Sequence, residues 1–172
     1  VGIYSAALKK GRLGEAGYRA MIESTTKLNT PGPRLGLLSG VHALTDVTGF
    51  GLLGHLLEIC QGSRVKARID WNALPVLPGA VELAREGIST GASGRNLAGY
   101  GDRVTFGSTI DEARKALLTD PQTSGGLLVS CAPGSVDEVL SLFRADGFGH
   151  AAVIGDIVDS GGTLVNAAEA LL

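Results

Sequence analysis

An acidic residue and two threonines stand directly before a glycine-rich turn in residues 45–54, Thr-Asp-Val-Thr-Gly-Phe-Gly-Leu-Leu-Gly. The apolar spacing from Phe50 to Cys60 predicts a helix that begins at this turn. Backbone N–H groups and the positive end of a helix dipole favour an anion, whereas Asp46 repels one unless a divalent cation lies between them. The segment therefore predicts a site for a metal-bound phosphate, with Asp46 as a magnesium ligand.

The same residues leave other interpretations open. An Asp just ahead of a helix is also favoured as a helix cap, so Asp46 could have a purely structural role. A Gly-x-Gly-x-x-Gly fingerprint begins at Gly49, and Asp70 lies where the ribose-binding acid of a dinucleotide-binding fold is expected. That fold requires a parallel strand directly before Gly49, and residues 42–48 are too polar for a buried one. A domain that only mediates protein interactions is the remaining alternative.

Composition limits the classes of protein to which the chain can belong. Its 172 residues fit one domain, and a hydrophobic share of 44% with a charged share of 19% is typical of a soluble globular protein. Its apolar runs are too short to cross a bilayer, which excludes a membrane span. The net charge is −2 and only Lys9 and Lys10 are adjacent basic residues, so no surface for nucleic acid is expected.

Two further expectations concern the cellular setting of the chain. Cys60 and Cys131 lie in apolar segments and are expected to be small buried hydrophobic residues, not a disulfide or a metal pair. No signal peptide precedes the first periodic segment, so a cytoplasmic protein is expected. The chain starts at Val1 without an initiator methionine, which suggests a piece of a longer polypeptide.

A second polar and glycine-rich segment, Asp-Pro-Gln-Thr-Ser-Gly-Gly, occupies residues 120–126 and leads into the apolar strand Leu127–Cys131. Its composition fits an ordinary loop, or a loop whose paired glycines allow the backbone to approach a ligand closely. Residues 87–102 carry five glycines and are predicted to form a long irregular loop, in which Arg95 and Asn96 could face a ligand.

Local patterns predict alternating strands and helices. His55 is expected on a solvent-facing stripe of the Phe50–Cys60 helix, where it can pair with Glu58. Strands are expected at Val1–Tyr4, at 65–70, near Val104, at Leu127–Cys131, at Ala151–Val158 and at Thr163–Val165. Further helices are expected at Glu15–Asn29, near Leu77–Ala84, and after two capping boxes, Thr109-x-x-Glu112 and Ser135-x-x-Glu138. The strands are few, short and irregularly spaced, so the prediction is an α+β fold with a mixed sheet.

Both long motifs resemble those of the selenophosphate synthetase family, whose members are also called selenide, water dikinases. The segments that carry the resemblance are 45–55, 120–128, Leu77–Ala80, Arg95–Asn96 and Ala151–Gly155, so it spans nearly the whole chain. It implies an enzyme that converts ATP, selenide and water to selenophosphate, AMP and phosphate with Mg²⁺. It also implies the fold of the aminoimidazole ribonucleotide synthetase superfamily, whose carboxy-terminal half is a three-layer α/β/α domain with partial ferredoxin-like topology.

The resemblance also implies which residues line the site and which part of the enzyme is present. Residues 1–172 would be a single carboxy-terminal domain, inactive alone, of an enzyme that is a homodimer at full length. Asp46 would be the magnesium ligand from this half, which would contain no catalytic residue. The family's reactive cysteine or selenocysteine lies in the amino-terminal half. The other expected lining residues are Thr48, Gly49, Gly51, Asn96, Thr123, Ser124, Gly125 and Gly126. Sister enzymes of the superfamily, of the thiamine-phosphate kinase or hydrogenase-maturation type, remain the alternative.

Overall fold

The structure is a computed structural model that describes residues 1–158 and 165–168. In these residues the helices are α1 (Gly2–Lys9), α2 (Glu15–Thr26), α3 (Gly32–Leu35), α4 (Gly51–Ser63), α5 (Ala80–Arg85), α6 (Gly91–Tyr100), α7 (Glu112–Leu118) and α8 (Val136–Ala145). The strands are β1 (Val41–Asp46), β2 (Lys66–Asp70), β3 (Val104–Phe106), β4 (Leu127–Cys131), β5 (Gly155–Val158) and β6 (Val165–Ala168).

The strands form two separate sheets. In the smaller one β1 pairs antiparallel with β4, and Asp46 at the end of β1 lies opposite Leu127 at the start of β4. The larger sheet has the order β3-β6-β2-β5, in which β6 is parallel to both of its neighbours and β5 is antiparallel to β2. This arrangement confirms the predicted α+β fold with a mixed sheet.

Helix α4 carries the main apolar face of the molecule. Leu53, Leu57 and Cys60 are fully or almost fully buried, and they belong to one cluster with Ala67 and Ile69 of β2. Burial of apolar side chains at this spacing is what places α4 against the larger sheet. The helix ends where Arg64 adopts a left-handed backbone with φ 56°. Cys60 is free, and its burial raises the pKa of the thiol, as expected for a structural cysteine.

Two smaller clusters complete the core of the described residues. One joins Tyr4 of α1 and Met21 of α2 to Ala80 of α5. The other joins Leu35 of α3 and Phe143 of α8 beneath the small sheet. The small sheet is therefore packed against α3 and α8, while the larger sheet is packed against α4.

The amino-terminal strand expected at Val1–Tyr4 is wrong, because this segment belongs to helix α1. A short apolar run fits either element by periodicity. Ile3, Tyr4 and Ala7 lie on one helical face and are buried against α2 and α5. The buried Asp120 carboxylate accepts a hydrogen bond from Ile3 N at 2.9 Å, so it satisfies an amide in the first turn of the helix.

The irregular loop expected at 87–102 is also wrong, because most of it is helix α6. Thr90 caps this helix, since its hydroxyl accepts a hydrogen bond from Ser93 N at 3.0 Å. Glycines inside a helix each cost roughly 1 kcal/mol relative to alanine. Burial of Ser93 and Tyr100 against the rest of the fold opposes that cost, and tertiary packing overrides the weak local propensity.

Several helices and strands begin at residues other than those predicted from the sequence. The cap of α7 is Asp111, not Thr109, and its carboxylate accepts from Arg114 N at 2.8 Å. Ser135 is the first flanking residue of α8, but its side chain makes no capping bond. The strand expected at Ala151–Val158 begins only at Gly155, and the last strand is Val165–Ala168, Thr163 lying outside the described residues.

We predict that Asp120→Ala lowers the free energy of unfolding by about 1–3 kcal/mol, the usual cost of leaving a buried amide without its partner. Asp120 is 2% exposed, and burial raises the pKa of its carboxyl group despite the groups that donate to it. Urea unfolding of the purified protein measures the change. Glu23→Ala, on the exposed surface of α2, serves as a control and should stay within about 0.5 kcal/mol. Equal effects from the two variants would contradict this structural role.

Candidate functional site

The two glycine-rich motifs are joined by backbone hydrogen bonds. Val47 N donates to the carbonyl of Gly126 at 3.0 Å, and Gln122 N donates to the carbonyl of Thr48 at 2.9 Å. These bonds lie where β1 ends and β4 begins. Residues 46–51 and 122–126 therefore form one structural unit, which we call the glycine corner.

Two glycines of the corner are needed for close chain packing. A Cβ on Gly125 would lie 1.9 Å from the carbonyl oxygen of Val47, a distance that no side chain tolerates. Gly51 has φ +70°, and its Cβ would lie 2.7 Å from the carbonyl carbon of Thr119. At both positions glycine allows one segment of this chain to approach another.

The other two glycines of the corner face open space. A Cβ on Gly49 or on Gly126 would meet no atom within 4 Å among the described residues. The backbone at these positions is therefore reachable from outside the protein. Of the four predicted lining glycines in the corner, Gly49 and Gly126 have open space beside them, whereas Gly51 and Gly125 lie in close contact with other parts of the chain.

Asp46 is exposed at the end of β1. Within the described residues its carboxylate forms no hydrogen bond or ion pair. It does not cap α4, whose flanking residue is Phe50 and which has no side-chain capping bond. The carboxylate oxygens are thus available to a cation, and the helix-cap interpretation is excluded.

Helix α6 holds the corner from the side. The amide nitrogen of Asn96 donates to the carbonyls of Gly49 at 2.9 Å and Thr119 at 3.0 Å. The hydroxyl of Tyr100 donates to the carbonyl of Phe50 at 2.5 Å. Burial raises the pKa of Tyr100 to about 12, so this hydroxyl keeps its proton at neutral pH. Asn96 therefore uses its donors on the backbone of the corner and not on open space.

Tyr100 was not identified from the sequence as part of the site. Its only sequence signal is the spacing of four residues from Asn96, which places both side chains on one face if the segment is helical. That signal is lost once residues 87–102 are interpreted as an irregular loop.

His55 is 7% exposed, so its predicted position on a solvent-facing stripe is wrong. The predicted pairing with Glu58 is present, with His55 Nδ1 3.0 Å from Glu58 Oε2. The other ring nitrogen, Nε2, lies 3.1 Å from the hydroxyl of Thr48. The ring of Phe50 is tilted by 51° relative to the imidazole, with 5.8 Å between ring centroids. A position that is polar by helix periodicity is therefore buried, and Thr48 and Phe50 are among its neighbours.

Thr123 and Ser124 are both exposed on the second motif. Ser124 has φ 51°, a left-handed conformation that costs a non-glycine residue roughly 1 kcal/mol or more. Thr123 lines an open cleft of about 440 Å³ that is also lined by Lys9, the last residue of α1, and by the following Lys10. The second motif thus contributes to the corner and to a neighbouring cleft with two positive charges.

The side chains of Asp46 and Thr48 carry oxygen atoms of the kind that Mg²⁺ takes as ligands. Mg²⁺ prefers oxygen ligands and is commonly held by one or two carboxylates, substrate phosphates and water. Within residues 1–158 and 165–168 no three acidic, histidine or cysteine residues are grouped so that they could hold a metal by themselves. The corner can therefore supply part of a coordination shell that a phosphate completes.

Two features are not found among the described residues: a dinucleotide-binding strand arrangement and a membrane-crossing helix. The strand directly before Gly49 is antiparallel to its neighbour, whereas the dinucleotide-binding interpretation requires a parallel strand. The arrangement around the corner is thus not that of a dinucleotide-binding fold. Among the described residues, no helix has the length and hydropathy required to cross a membrane.

Comparison with known families assigns the fold. Residues 2–166 match the family model described as AIR synthase related protein, C-terminal domain. The chain belongs to this family. The resemblance inferred from the two motifs is thereby confirmed at the level of the superfamily and of its carboxy-terminal domain.

Two similar curated proteins share the name selenide, water dikinase. The chain is 62% identical over 162 residues to the selenide, water dikinase of Paraburkholderia xenovorans (strain LB400). The matched region covers 94% of the chain and 46% of that protein. The chain is 63% identical over 155 residues to the selenide, water dikinase of Pseudomonas straminea, covering 90% and 43%. The chain therefore spans somewhat less than half the length of these relatives.

Solved structures of the same fold are more distant in sequence. HypE of E. coli, a hydrogenase maturation protein, has a TM-score of 0.58 and 21% identity, covering 97% of the chain and 43% of HypE. Thiamine-monophosphate kinase from Stenotrophomonas maltophilia K279a has a TM-score of 0.57 and 24% identity, covering 97% and 47%. These similarities establish a common fold.

We predict unequal effects on stability for alanine at the two adjacent glycines of the corner. Gly125→Ala forces Val47 to move and should lower the free energy of unfolding by about 1–3 kcal/mol. Gly126→Ala meets no neighbouring atom and should change it by less than about 1 kcal/mol. Urea unfolding of the two variants measures the difference. A Gly125→Ala protein as stable as Gly126→Ala would show that the two motifs are not packed as described.

Proposed function

We propose that this chain is the carboxy-terminal part of a selenide, water dikinase, in which ATP, selenide and water give selenophosphate, AMP and phosphate. Identity of about 60% over more than nine-tenths of the chain to proteins of that name supports the proposal. The structural observation that carries it is the free carboxylate of Asp46 beside a backbone corner built from both motifs.

In this proposal Asp46 is the magnesium ligand that this half contributes to the nucleotide site. Bound Mg²⁺ would neutralise charge on the phosphoryl oxygens of ATP. Asp46 would hold the ion, while the open backbone at Gly49 and Gly126 allows phosphate oxygens to come close. Lys9 and Lys10, in the cleft with Thr123, add positive charge that suits a phosphate-bearing ligand.

The proposal divides the predicted site residues by role. Asp46, Thr48, Gly49 and Gly126 would face the metal and phosphate, and Thr123 and Ser124 would line the adjoining surface. Gly51, Gly125 and Asn96 would shape the corner through their contacts with other parts of the chain. A corner that is held before ligand arrives needs little rearrangement when charge develops on a phosphoryl group.

The remaining functional features belong to the full-length protein and are part of the same proposal. We expect the chain alone to be inactive, with the nucleophile and the other metal-binding acids supplied by an amino-terminal half. We further propose a cytoplasmic homodimer that does not bind nucleic acid. Thiamine-phosphate kinase or hydrogenase-maturation activity remains the alternative within the superfamily, and the solved structures support it through their fold alone.

We predict that Asp46→Asn in the full-length enzyme reduces selenide-dependent ATP cleavage by more than roughly 10- to 100-fold, the loss typical when even an outer partner of a metal site is removed. Asn keeps the shape of the side chain and removes its charge. Because Asp46 is exposed and has no described partner, the free energy of unfolding should not change.

Asp137→Asn, at an exposed acid of α8 outside the corner, provides the matched control for charge and should retain activity. A full-length Asp46→Asn enzyme that cleaves ATP at the parent rate, with the parent Mg²⁺ requirement, would remove Asp46 from the mechanism. Cleavage of ATP that needs no selenide but needs thiamine phosphate would instead favour the superfamily alternative.

A further inference from the structure

Three polar side chains form a continuous hydrogen-bonded chain from the solvent edge of α4 to the glycine corner. Glu58 Oε2 lies 3.0 Å from His55 Nδ1, and His55 Nε2 lies 3.1 Å from the hydroxyl oxygen of Thr48. The Glu58 side chain is 58% exposed, whereas His55 is almost fully buried. The metal and phosphate roles assigned above use Thr48 but give no role to His55 or Glu58.

One placement of the protons fits both contacts when the imidazole is neutral. An ionised carboxylate can only accept hydrogen bonds, so the contact with Glu58 favours the tautomer with its proton on His55 Nδ1. In that tautomer Nε2 is an acceptor. The Thr48 hydroxyl then donates its single proton to Nε2. Its oxygen keeps its lone pairs, and among the described residues no group donates to them.

Thr48 has little freedom to point elsewhere. Its carbonyl accepts from Gly51 N at 3.1 Å and from Gln122 N at 2.9 Å, so its backbone is held by both motifs of the corner. A β-branched side chain has few allowed rotamers on a fixed backbone. The bond to His55 selects one rotamer and also sets the direction of the hydroxyl proton.

We propose that Glu58 and His55 position Thr48 so that its hydroxyl presents only oxygen lone pairs to the glycine corner, which selects a cation or cation-bound water there and disfavours direct contact with an anion. His55 and Glu58 are positioning residues and Thr48 is the group that meets the ligand. The identification of the cation as the Mg²⁺ that accompanies ATP rests on the proposed function. The positions of the protons on His55 and Thr48 are argued from the two hydrogen bonds alone.

A purely structural role for the same chain makes a different prediction. If the bonds only stabilised the start of α4, loss of Glu58 would affect folding and leave cation binding unchanged. Since Glu58 is more than half exposed, its removal should change the free energy of unfolding little. Cation binding and the proton position on His55 are therefore the measurements that separate the two roles.

The first experiment reads the proton position directly. Nitrogen-15 NMR of the full-length protein at pH 8, above the ordinary imidazole pKa of about 6.5, distinguishes a protonated from an unprotonated ring nitrogen. The signals of His55 are assigned by their loss in His55→Asn. We expect His55 to carry its proton on Nδ1 in the parent protein and in Glu58→Gln, whose side-chain oxygen can still accept. In Glu58→Ala the proton should redistribute toward Nε2. A proton on Nε2 in the parent, alone or together with Nδ1, would overturn the proposal.

The second experiment measures cation binding without turnover. Electron paramagnetic resonance follows Mn²⁺ bound by the full-length protein in the presence of a non-hydrolysable ATP analogue. Thr48→Val should weaken Mn²⁺ binding roughly tenfold, the scale of one charge-assisted contact, while Thr48→Ser stays near the parent value. Glu58→Ala should weaken it by a smaller factor, and Glu58→Gln should restore it. Gln61→Ala, at an exposed position of the same helix, is the control and should not change it.

A double variant tests whether Glu58 acts through Thr48. Adding Glu58→Ala to Thr48→Val should weaken Mn²⁺ binding no further, because the hydroxyl that Glu58 orients is already absent. Additive effects would overturn the proposal, as would parent affinity in Thr48→Val.

Asp46→Asn, measured in the same assay, separates this inference from the proposed function. Weakened binding in Asp46→Asn with parent binding in Thr48→Val would refute only the role of Thr48. Parent binding in Asp46→Asn with weakened binding in Thr48→Val would refute the proposed role of Asp46 and leave the present inference standing.

Discussion

The backbone pairing between residues 45–54 and 120–126 is the interaction on which the candidate site depends. Two hydrogen bonds, from Val47 to Gly126 and from Gln122 to Thr48, hold segments that are more than seventy positions apart in the sequence. They are possible because Gly125 has no side chain to meet the Val47 carbonyl. The pairing continues the β1–β4 ladder past its end, and it leaves the carboxylate of Asp46 at the edge, in solvent.

Helices α4 and α6 support the glycine corner, and α6 does so through hydrogen bonds to its backbone. Helix α4 is held by the main core, and α6 binds the carbonyls of Gly49 and Phe50 through Asn96 and Tyr100. These donors satisfy carbonyls that a turn would otherwise leave to water. The corner is thus fixed by its neighbours, while the exposed groups remain unengaged. A site of this kind has its polar groups oriented before the ligand binds, which is the condition for strong electrostatic stabilisation.

Sequence patterns predicted the elements whose packing follows from periodicity. Helix α4, strand β4 and the mixed sheet were found this way, and so was the pairing of His55 with Glu58, since both lie on one helix. Helix α6 was missed because its glycines lower the local propensity that tertiary packing restores. The hydrogen bonds of Asn96 could not be predicted, because its two partners lie 47 and 23 positions away in sequence. The burial of His55 was likewise missed, because helix periodicity does not report its contacts with Thr48 and Phe50 in the preceding turn.

The glycine corner has few side-chain oxygen atoms that could coordinate Mg²⁺, which bears on how metal and nucleotide binding would be coupled in the proposed site. One carboxylate and one hydroxyl offer few of the oxygen contacts that Mg²⁺ requires, and the described residues hold no acidic cluster that could complete them. In the proposed site most of the coordination shell would come from phosphate oxygens, water and groups outside this corner. Metal and nucleotide would then each raise the affinity of the protein for the other, and linkage requires the two increases to be equal. Such a site would bind the metal–nucleotide complex as a unit and would bind a metal ion alone only weakly.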